Sequence, residues 1–426
     1  MPSSLRQLTE SLAGYRPDAL RVELARDAIN RAITPITEID RVPLKQALGR
    51  VLAADLVSPI NVPAHDNSAM DGYALRGSDL GAHDCTLRIV GRAFAGHPYP
   101  DAVQPGECVR IMTGAVIPRG CDSVIPQELA KNASETTVTI PAHSIQAGAN
   151  RRLAGEDLPT GSVALQRGRL LTPSDLGLIA SLGIGEVSVT RRLRVAFFST
   201  GDELRSIGQP LDEGSVYDSN RYTLQAMLER AGCDPLDLGV VRDDPALLEA
   251  TLRDACRQAG VIITTGGVSA GDADYTADMM ARLGEVLFWK IAMRPGRPMA
   301  FGQLHCDGHD ALFFGLPGNP VAVMATFYFF AREAIYRRMG TTPPALPVVR
   351  AISADALRKR PGRTEYQRGV LDFDADGVAR VRLTGAQGSG ILSSMSEANG
   401  MVVLDHDAGD VAAGDIVRVI PFNGLI

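Results

Sequence analysis

The feature that most constrains this chain is the rhythm of its central 140 or so residues, where short apolar runs alternate with helical patterns. Val195–Phe198 enters the turn Ser199-Thr200-Gly201-Asp202-Glu203. A helix follows near Asn220, with Leu224, Met227, Leu228 and Ala231 at helical spacing. Strand Leu236–Val241, helix Pro245–Ala259 and strand Val261–Thr265 come next. A loop, a helix near Tyr275–Leu283 and strand Val286–Lys290 continue the rhythm, and strand Leu312–Gly315 feeds a long helix, Asn319–Arg338. Such alternation predicts a doubly wound parallel α/β sheet, whose ligands sit outside the carboxyl ends of the strands.

The flanks read differently. Val22–Ile33 is an amphipathic helix by spacing. Short β-like runs between Thr86 and Ile140 predict a β-rich module. Thr172 caps a helix that has Pro173 in its first turn. After Thr341-Thr342-Pro343-Pro344 helical signals give way to five strand-like runs, predicting a β-barrel-like or sandwich tail.

Composition removes several classes of function. A net charge of −6 argues against a nucleic-acid footprint. No apolar run approaches the ~18 residues of a membrane span, and Met1–Glu10 has no signal-peptide pattern, so a cytoplasmic protein is expected. The six cysteines form no Cys-x-x-Cys pair. Neither a Gly-x4-Gly-Lys phosphate loop, a Gly-x-Gly-x-x-Gly fingerprint nor a Gly-x-Ser-x-Gly elbow occurs; Asp272 stands where the first would need lysine.

A globally acidic chain that binds an anion needs a local cationic site beside turns that let backbone approach. Lys290, Arg294 and Arg297, in the run Lys290–Pro298, supply the charge. Thr265–Tyr275 and Leu316-Pro317-Gly318-Asn319-Pro320 supply the turns, the latter opening a helix with Asn at the cap and Pro in the first turn. Glu203, Asp243, Asp272 and Asp274 lie in the same strand-end loops. Acids there repel a phosphate unless a hard cation such as Mg2+ bridges them, though Asp243 or Asp244 also suits a helix cap ahead of Pro245. A second basic stretch, Arg363–Arg368, precedes Gly388-Ser389-Gly390.

Taken together, Asp66-Asn67-Ser68-Ala69-Met70-Asp71-Gly72-Tyr73-Ala74, Ile111-Met112-Thr113-Gly114-Ala115, Gly155-Glu156-Asp157, Thr200–Leu204, Tyr217-Asp218-Ser219-Asn220, Thr265–Tyr275, Gly315–Pro320 and Gly388–Gly390 resemble, in this order, the molybdopterin molybdenumtransferase family. Bacterial MoeA proteins and the E domain of gephyrin are among its members. The resemblance runs over nearly the whole chain. It implies four domains: a discontinuous N-terminal domain of residues 1–55 and 150–190, a β-rich insertion of 56–149, an α/β molybdopterin-binding domain of 191–340 and a β domain of 341–426. It implies insertion of molybdate into adenylated molybdopterin, with Mg2+ and release of AMP. It also implies a homodimer whose cleft takes the Asp71 stretch from one chain and the α/β domain from the other. A molybdopterin adenylyltransferase and downstream cofactor-handling proteins are the expected partners.

By motif position the resemblance gives Asp71, Thr113, Asp157, Glu203, Asp243 and Asp274 catalytic roles, with Glu203, Asp243 and Asp274 as candidate metal ligands. Lys290, Arg294, Arg297, Pro317, Gly318, Asn319, Pro320, Arg368 and Ser389 would bind the substrate anion. Arg294 and Arg297 stand where similar proteins often carry lysine, replacing a point charge with a planar fork. Two other readings are an adenylyltransferase or nucleotide pyrophosphatase of the same superfamily and a non-enzymatic scaffold. The Asp66–Tyr73 stretch and C-terminal strands weigh against the first, the retained acids against the second.

Overall fold

The structure, a computed structural model, describes residues 5–12, 14–267 and 279–425. The chain forms two compact units. One comprises Met1–Asp40, Gly49–Val51 and Val189–Ile426, the other Arg41–Leu48 and Leu52–Ser188. Among the described residues no helix is long and apolar enough to cross a membrane.

The larger unit is built on a six-stranded sheet. Its strands are β1 (Arg194–Thr200), β2 (Asp234–Val241), β3 (Val261–Thr265), β4 (Gly284–Lys290), β5 (Pro298–Cys306) and β6 (His309–Leu316), in the order β2-β1-β3-β6-β5-β4. Pairings β1–β2, β1–β3 and β3–β6 are parallel, and register sets Ala196 beside Ile262 and Ile262 beside Phe313. That row faces the buried Leu252, Ala255 and Cys256 of helix α2 (Pro245–Gln258). The next row, Phe197, Ile263 and Phe314, points to the opposite face, where α1 (Asn220–Arg230) and α3 (Pro320–Thr326) pack. Covering both faces explains why β3, Val-Ile-Ile-Thr-Thr, is buried along its whole length rather than alternating.

One strand runs against the rest. β5 pairs antiparallel with both β4 and β6. The hairpin joining β5 to β6 turns at Asp307 and Gly308, both at positive φ (54° and 85°), as a tight two-residue turn requires. The alternation of strands and helices passes over β5, because Pro298 and Gly302 interrupt its apolar pattern. The helix expected over Asn319–Arg338 is continuous but not uniform: α3 passes into a π-helical segment, Phe327–Ala331, before resuming as Arg332–Arg338.

Helix Val22–Arg31 docks on this last segment, where Arg26 Nη2 lies 2.7 Å and Asn30 Nδ2 2.8 Å from Glu333 carboxylate oxygens. At the other end of the chain, strands Val349–Ser353, Thr364–Phe373, Ala379–Leu383, Gly400–Leu404 and Ile416–Pro421 close into a five-stranded barrel around Ala351, Val381, Val402 and Val419. A sixth, two-residue strand, Met293–Arg294, joins this barrel by pairing parallel with Thr364–Glu365. The turn after β4 is thereby fixed to the barrel.

The second unit carries a five-stranded sheet of Ser123–Pro126, Gly72–Leu75, Glu107–Ile111, Cys85–Ala93 and Thr137–Ile140, in that order. Alternate residues feed two apolar clusters: Tyr73, Leu75, Cys108 and Ile125 on one face, Ala74, Val109, Ile111 and Val124 on the other. The helix Pro173–Ser181 begins as its sequence predicts, with a reciprocal capping box between Thr172 and Asp175.

Candidate active site

In the larger unit a cleft of about 720 Å³ opens at the carboxyl ends of β1, β3 and β6. Thr200, Gly201 and Glu203 line it after β1, Asp243 after β2, Thr265 to Gly267 after β3, and Pro317 to Asn319 after β6. Met293 to Pro298 forms one wall, and the barrel contributes Arg363 and Gln387 to Ser389.

Backbone geometry shapes the floor. Gly266 has φ +90°, and a Cβ there would come within 2.4 Å of the Thr200 carbonyl oxygen, so only glycine lets the two strand-end turns meet. Gly266 N–H donates to Leu316 O at 3.1 Å, which joins the turns after β3 and β6. Asn220, buried at the start of α1, donates through Nδ2 to Gly318 O at 2.7 Å and holds the turn that opens α3. The Val321 N–H of α3 donates to Ser389 O at 3.0 Å, tying that helix to the barrel loop.

The two acids after β2 separate cleanly. Asp244 is the N-cap of α2, its Oδ1 accepting from Leu247 N–H at 2.8 Å. Asp243 is left to the cleft, where its Oδ1 accepts from the Thr200 hydroxyl. Glu203 also lines the cleft. Asp272 and Asp274 lie outside the described residues.

The cations divide in the same way. Arg294 and Arg297 line the cleft, are exposed, and have no hydrogen-bond or ion-pair partner for their guanidinium groups among the described residues. Gly296, between them, has φ +101°, and a Cβ there would meet Thr326 Cγ2 at 2.7 Å, so the turn lies directly against α3. Arg363 reaches the cleft while paired through Nε with the buried Glu365 at 2.9 Å. Lys290 ends β4 outside the cleft lining, its Nζ 3.5 Å from Asp18.

Arg368 is not placed as an anion ligand. It is wholly buried. Its Nε donates to Ser394 Oγ at 2.9 Å and its terminal nitrogens to the carbonyls of Ala386, Gln387 and Gly388 at 3.2, 3.3 and 2.9 Å. Burial, then the nearby Arg294, lowers its pKa. It is the fastener of the loop that carries Ser389. Pro317, Gly318 and Asn319 line the cleft, and Pro320, the first residue of α3, lies just behind them. The sequence reading missed Asn220 as a fastener of the Gly318 turn, although the Tyr217–Asn220 stretch had marked its position.

Asp71, Thr113 and Asp157 belong to the second unit. Asp71 Oδ1 accepts from both the backbone N–H and the hydroxyl of Thr113, each at 2.7 Å. These bonds, backbone first, hold its pKa below the ordinary 3.8. Asp157 is exposed, with its N–H bonded to Val62 O at 3.1 Å.

Comparison with known proteins agrees along the chain. Residues 20–183 match the MoeA N-terminal region (domain I and II), 196–337 a probable molybdopterin binding domain, and 350–422 the MoeA C-terminal region (domain IV). The molybdopterin molybdenumtransferase of Haemophilus influenzae is 42% identical over 408 residues, covering 96% of this chain and 100% of that protein. The protein of the same name from Bacillus subtilis is 32% identical, covering 90% of each. The crystal structure of the molybdopterin biosynthesis moeA protein from Pyrococcus horikoshii OT3 superposes with a TM-score of 0.81 at 28% identity, covering 95% of this chain and 100% of that one. With three consecutive domain matches and full-length relatives above 30% identity, the chain belongs to the molybdopterin molybdenumtransferase family.

Proposed function

We propose that the chain is a molybdopterin molybdenumtransferase that completes the molybdenum cofactor, inserting molybdate into adenylated molybdopterin with Mg2+-dependent release of AMP. One observation carries this reading: two arginines without a partner among the described residues, Arg294 and Arg297, line a strand-end cleft together with glycine turns and carboxylates. Charge that is already in place, and not neutralised by the protein itself, is what binding and stabilising an oxyanion needs. Arg294 and Arg297 hold molybdate or phosphate oxygens through planar forks. Lys290 joins them only by leaving Asp18.

The residues present fit Mg2+. This ion commonly uses one or two carboxylates and takes its remaining ligands from substrate phosphates and water. Two acids in the cleft therefore suffice, although no cluster of three or more acidic, His or Cys ligands occurs among the described residues. Glu203 and Asp243 would hold the ion, with Asp274 as a third candidate, and the ion would neutralise charge on the pyrophosphate. Thr200 orients Asp243 through its hydroxyl. The four-domain division, a homodimer in which Asp71 serves the partner's cleft, supply of substrate by an adenylyltransferase, and a cytoplasmic location complete the proposal. The cysteines, all free, suit that compartment.

The test is AMP release from adenylated molybdopterin. We expect it to require both molybdate and Mg2+, and to fall in Asp243→Asn without a change in melting temperature. AMP release that ignores molybdate, or consumption of ATP in its place, would overturn the reading. For the shared cleft, mixed dimers of Asp71→Ala and Arg294→Ala chains should regain activity; mixtures as inactive as their parents rule it out.

A further inference from the structure

The opposite end of the central sheet carries a second cationic cavity. It has a volume of about 430 Å³ and is lined by Asp40, Arg50, Arg191, Arg192, Arg194, Asp234 and Gln258. Arg194 opens β1 and pairs in register with Asp234, which opens β2. The cleft begins at Thr200, the other end of β1. At ~3.3 Å per strand residue the two sites are roughly 20 Å apart.

Charge does not balance here. Arg50, almost fully buried, donates to Asp40 Oδ2 at 2.8 Å and Thr190 O at 3.0 Å. Arg191 shares that same carboxylate, Nε lying 3.6 Å from Asp40 Oδ1. Arg194 Nε donates to Asp234 Oδ2 at 2.7 Å. The exposed Arg192 has a backbone carbonyl, Gly232 O at 3.0 Å, as its hydrogen-bond partner and no carboxylate among the described residues. Four guanidinium groups therefore meet two carboxylates, an excess of two positive charges in a chain whose net charge is −6. Packing alone does not require this. A structural role is met once Arg50 and Arg194 have their aspartates, yet Arg191 and Arg192 add two more like charges at the same mouth. Such charges repel unless an anion joins them.

We propose that this cavity binds a small dianionic phosphomonoester. The excess of two charges matches a dianionic phosphoryl group, and guanidinium forks suit its oxygens. A cavity of about 430 Å³ is far larger than a phosphate ion, so the phosphoryl group arrives on an organic body lodged beside Gln258. The proposal does not depend on the chemistry assigned to the cleft.

The experiment uses the full chain carrying Arg294→Ala and Arg297→Ala, which disables the cleft, titrated calorimetrically at constant ionic strength. The probes are ribose 5-phosphate, inorganic phosphate and a poly-glutamate peptide. Ribose 5-phosphate should bind saturably at one site per chain, more tightly than inorganic phosphate. Adding Arg191→Gln and Arg192→Gln, both exposed positions, should weaken it at least tenfold with the melting temperature unchanged. Arg192→Lys should weaken it less. Equal affinity for inorganic phosphate would overturn the organic ligand in favour of the free ion. Preference for the peptide would overturn a small ligand in favour of a protein partner. Absence of saturable binding, or binding indifferent to the Arg191 and Arg192 changes, would remove the site.

Discussion

The turn Met293–Pro298 and the loop Ala386–Ser389 border the same cleft, and each is governed by arginine, but to opposite ends. Arg294 and Arg297 leave their guanidinium groups without a partner among the described residues. Arg368, beneath the loop, commits Nε and both terminal nitrogens to Ser394 and three backbone carbonyls. Residue type and motif position assign all three to the anion; the hydrogen bonds leave only two with free donors among the described residues. An arginine whose donors are already taken by carbonyls builds a site, and one whose donors are free can be used by a ligand.

The sharpest way to break this contrast is to truncate both kinds. Arg368→Ala should cost about 3 kcal/mol of unfolding free energy, since it strands several buried acceptors at once, and should abolish AMP release through loss of the Ser389 loop. Denaturant unfolding reads the first effect. Arg368→Lys should rescue little, because a point charge cannot span Ser394 and the loop carbonyls together. Unchanged stability in the alanine variant would return Arg368 to the substrate.

Arg294→Ala should do the reverse. Its stability should stay within about 0.5 kcal/mol of the parent, as for an exposed, unpaired side chain. Molybdate-dependent turnover should fall roughly ten- to hundredfold, the worth of one charge-assisted bond. Arg294→Lys should lose less. A variant that melts early but turns over normally would mean that the turn, too, is scaffold.

The smallest effect concerns Asp71, whose pKa is lowered by the N–H and hydroxyl of Thr113. A carboxylate with a depressed folded-state pKa contributes its stabilisation above the unfolded value, and that contribution is lost as pH falls through the folded one. Asp71 should therefore remain ionised below pH 3.8, its ordinary value, and Thr113→Val should shift its titration upward by removing one of the two bonds. Carbon NMR of the side-chain carboxyl checks this. A titration that does not respond to Thr113→Val would mean that the hydroxyl contributes nothing.

Much of the fold was legible because its pattern is local. β3 and the start of α2 appear in the sequence almost as they stand, for a run of Val, Ile and Thr ahead of Gly-Gly and an Asp-Asp-Pro start are each decided by near neighbours. β5 was not, since its place depends on partners on both sides and its pattern is broken by Pro298 and Gly302. The Asp307-Gly308 turn was the available signal for it. Within the site, the four residues Glu203, Asp243, Arg294 and Arg297, singled out by sequence, line one cleft. It could not tell Asp243 from Asp244, or Arg294 from Arg368, because the difference lies in which donor or acceptor is already taken. Nor does spacing reveal that Asn220 fastens a carbonyl 98 positions away.

The two-residue parallel pairing of Met293–Arg294 with Thr364–Glu365 sets a limit on how this protein can be taken apart. A fragment ending near residue 340 would keep every strand of the central sheet yet lose the edge against which the cationic turn is aligned. Such a fragment could retain the glycine turns and still misplace Arg294. The barrel works as a jig: it need not touch the reacting atoms to determine where a charge more than seventy residues earlier in the chain is held, and insertions at the barrel's Thr364 edge should be tolerated less well than insertions at its distant hairpin tips.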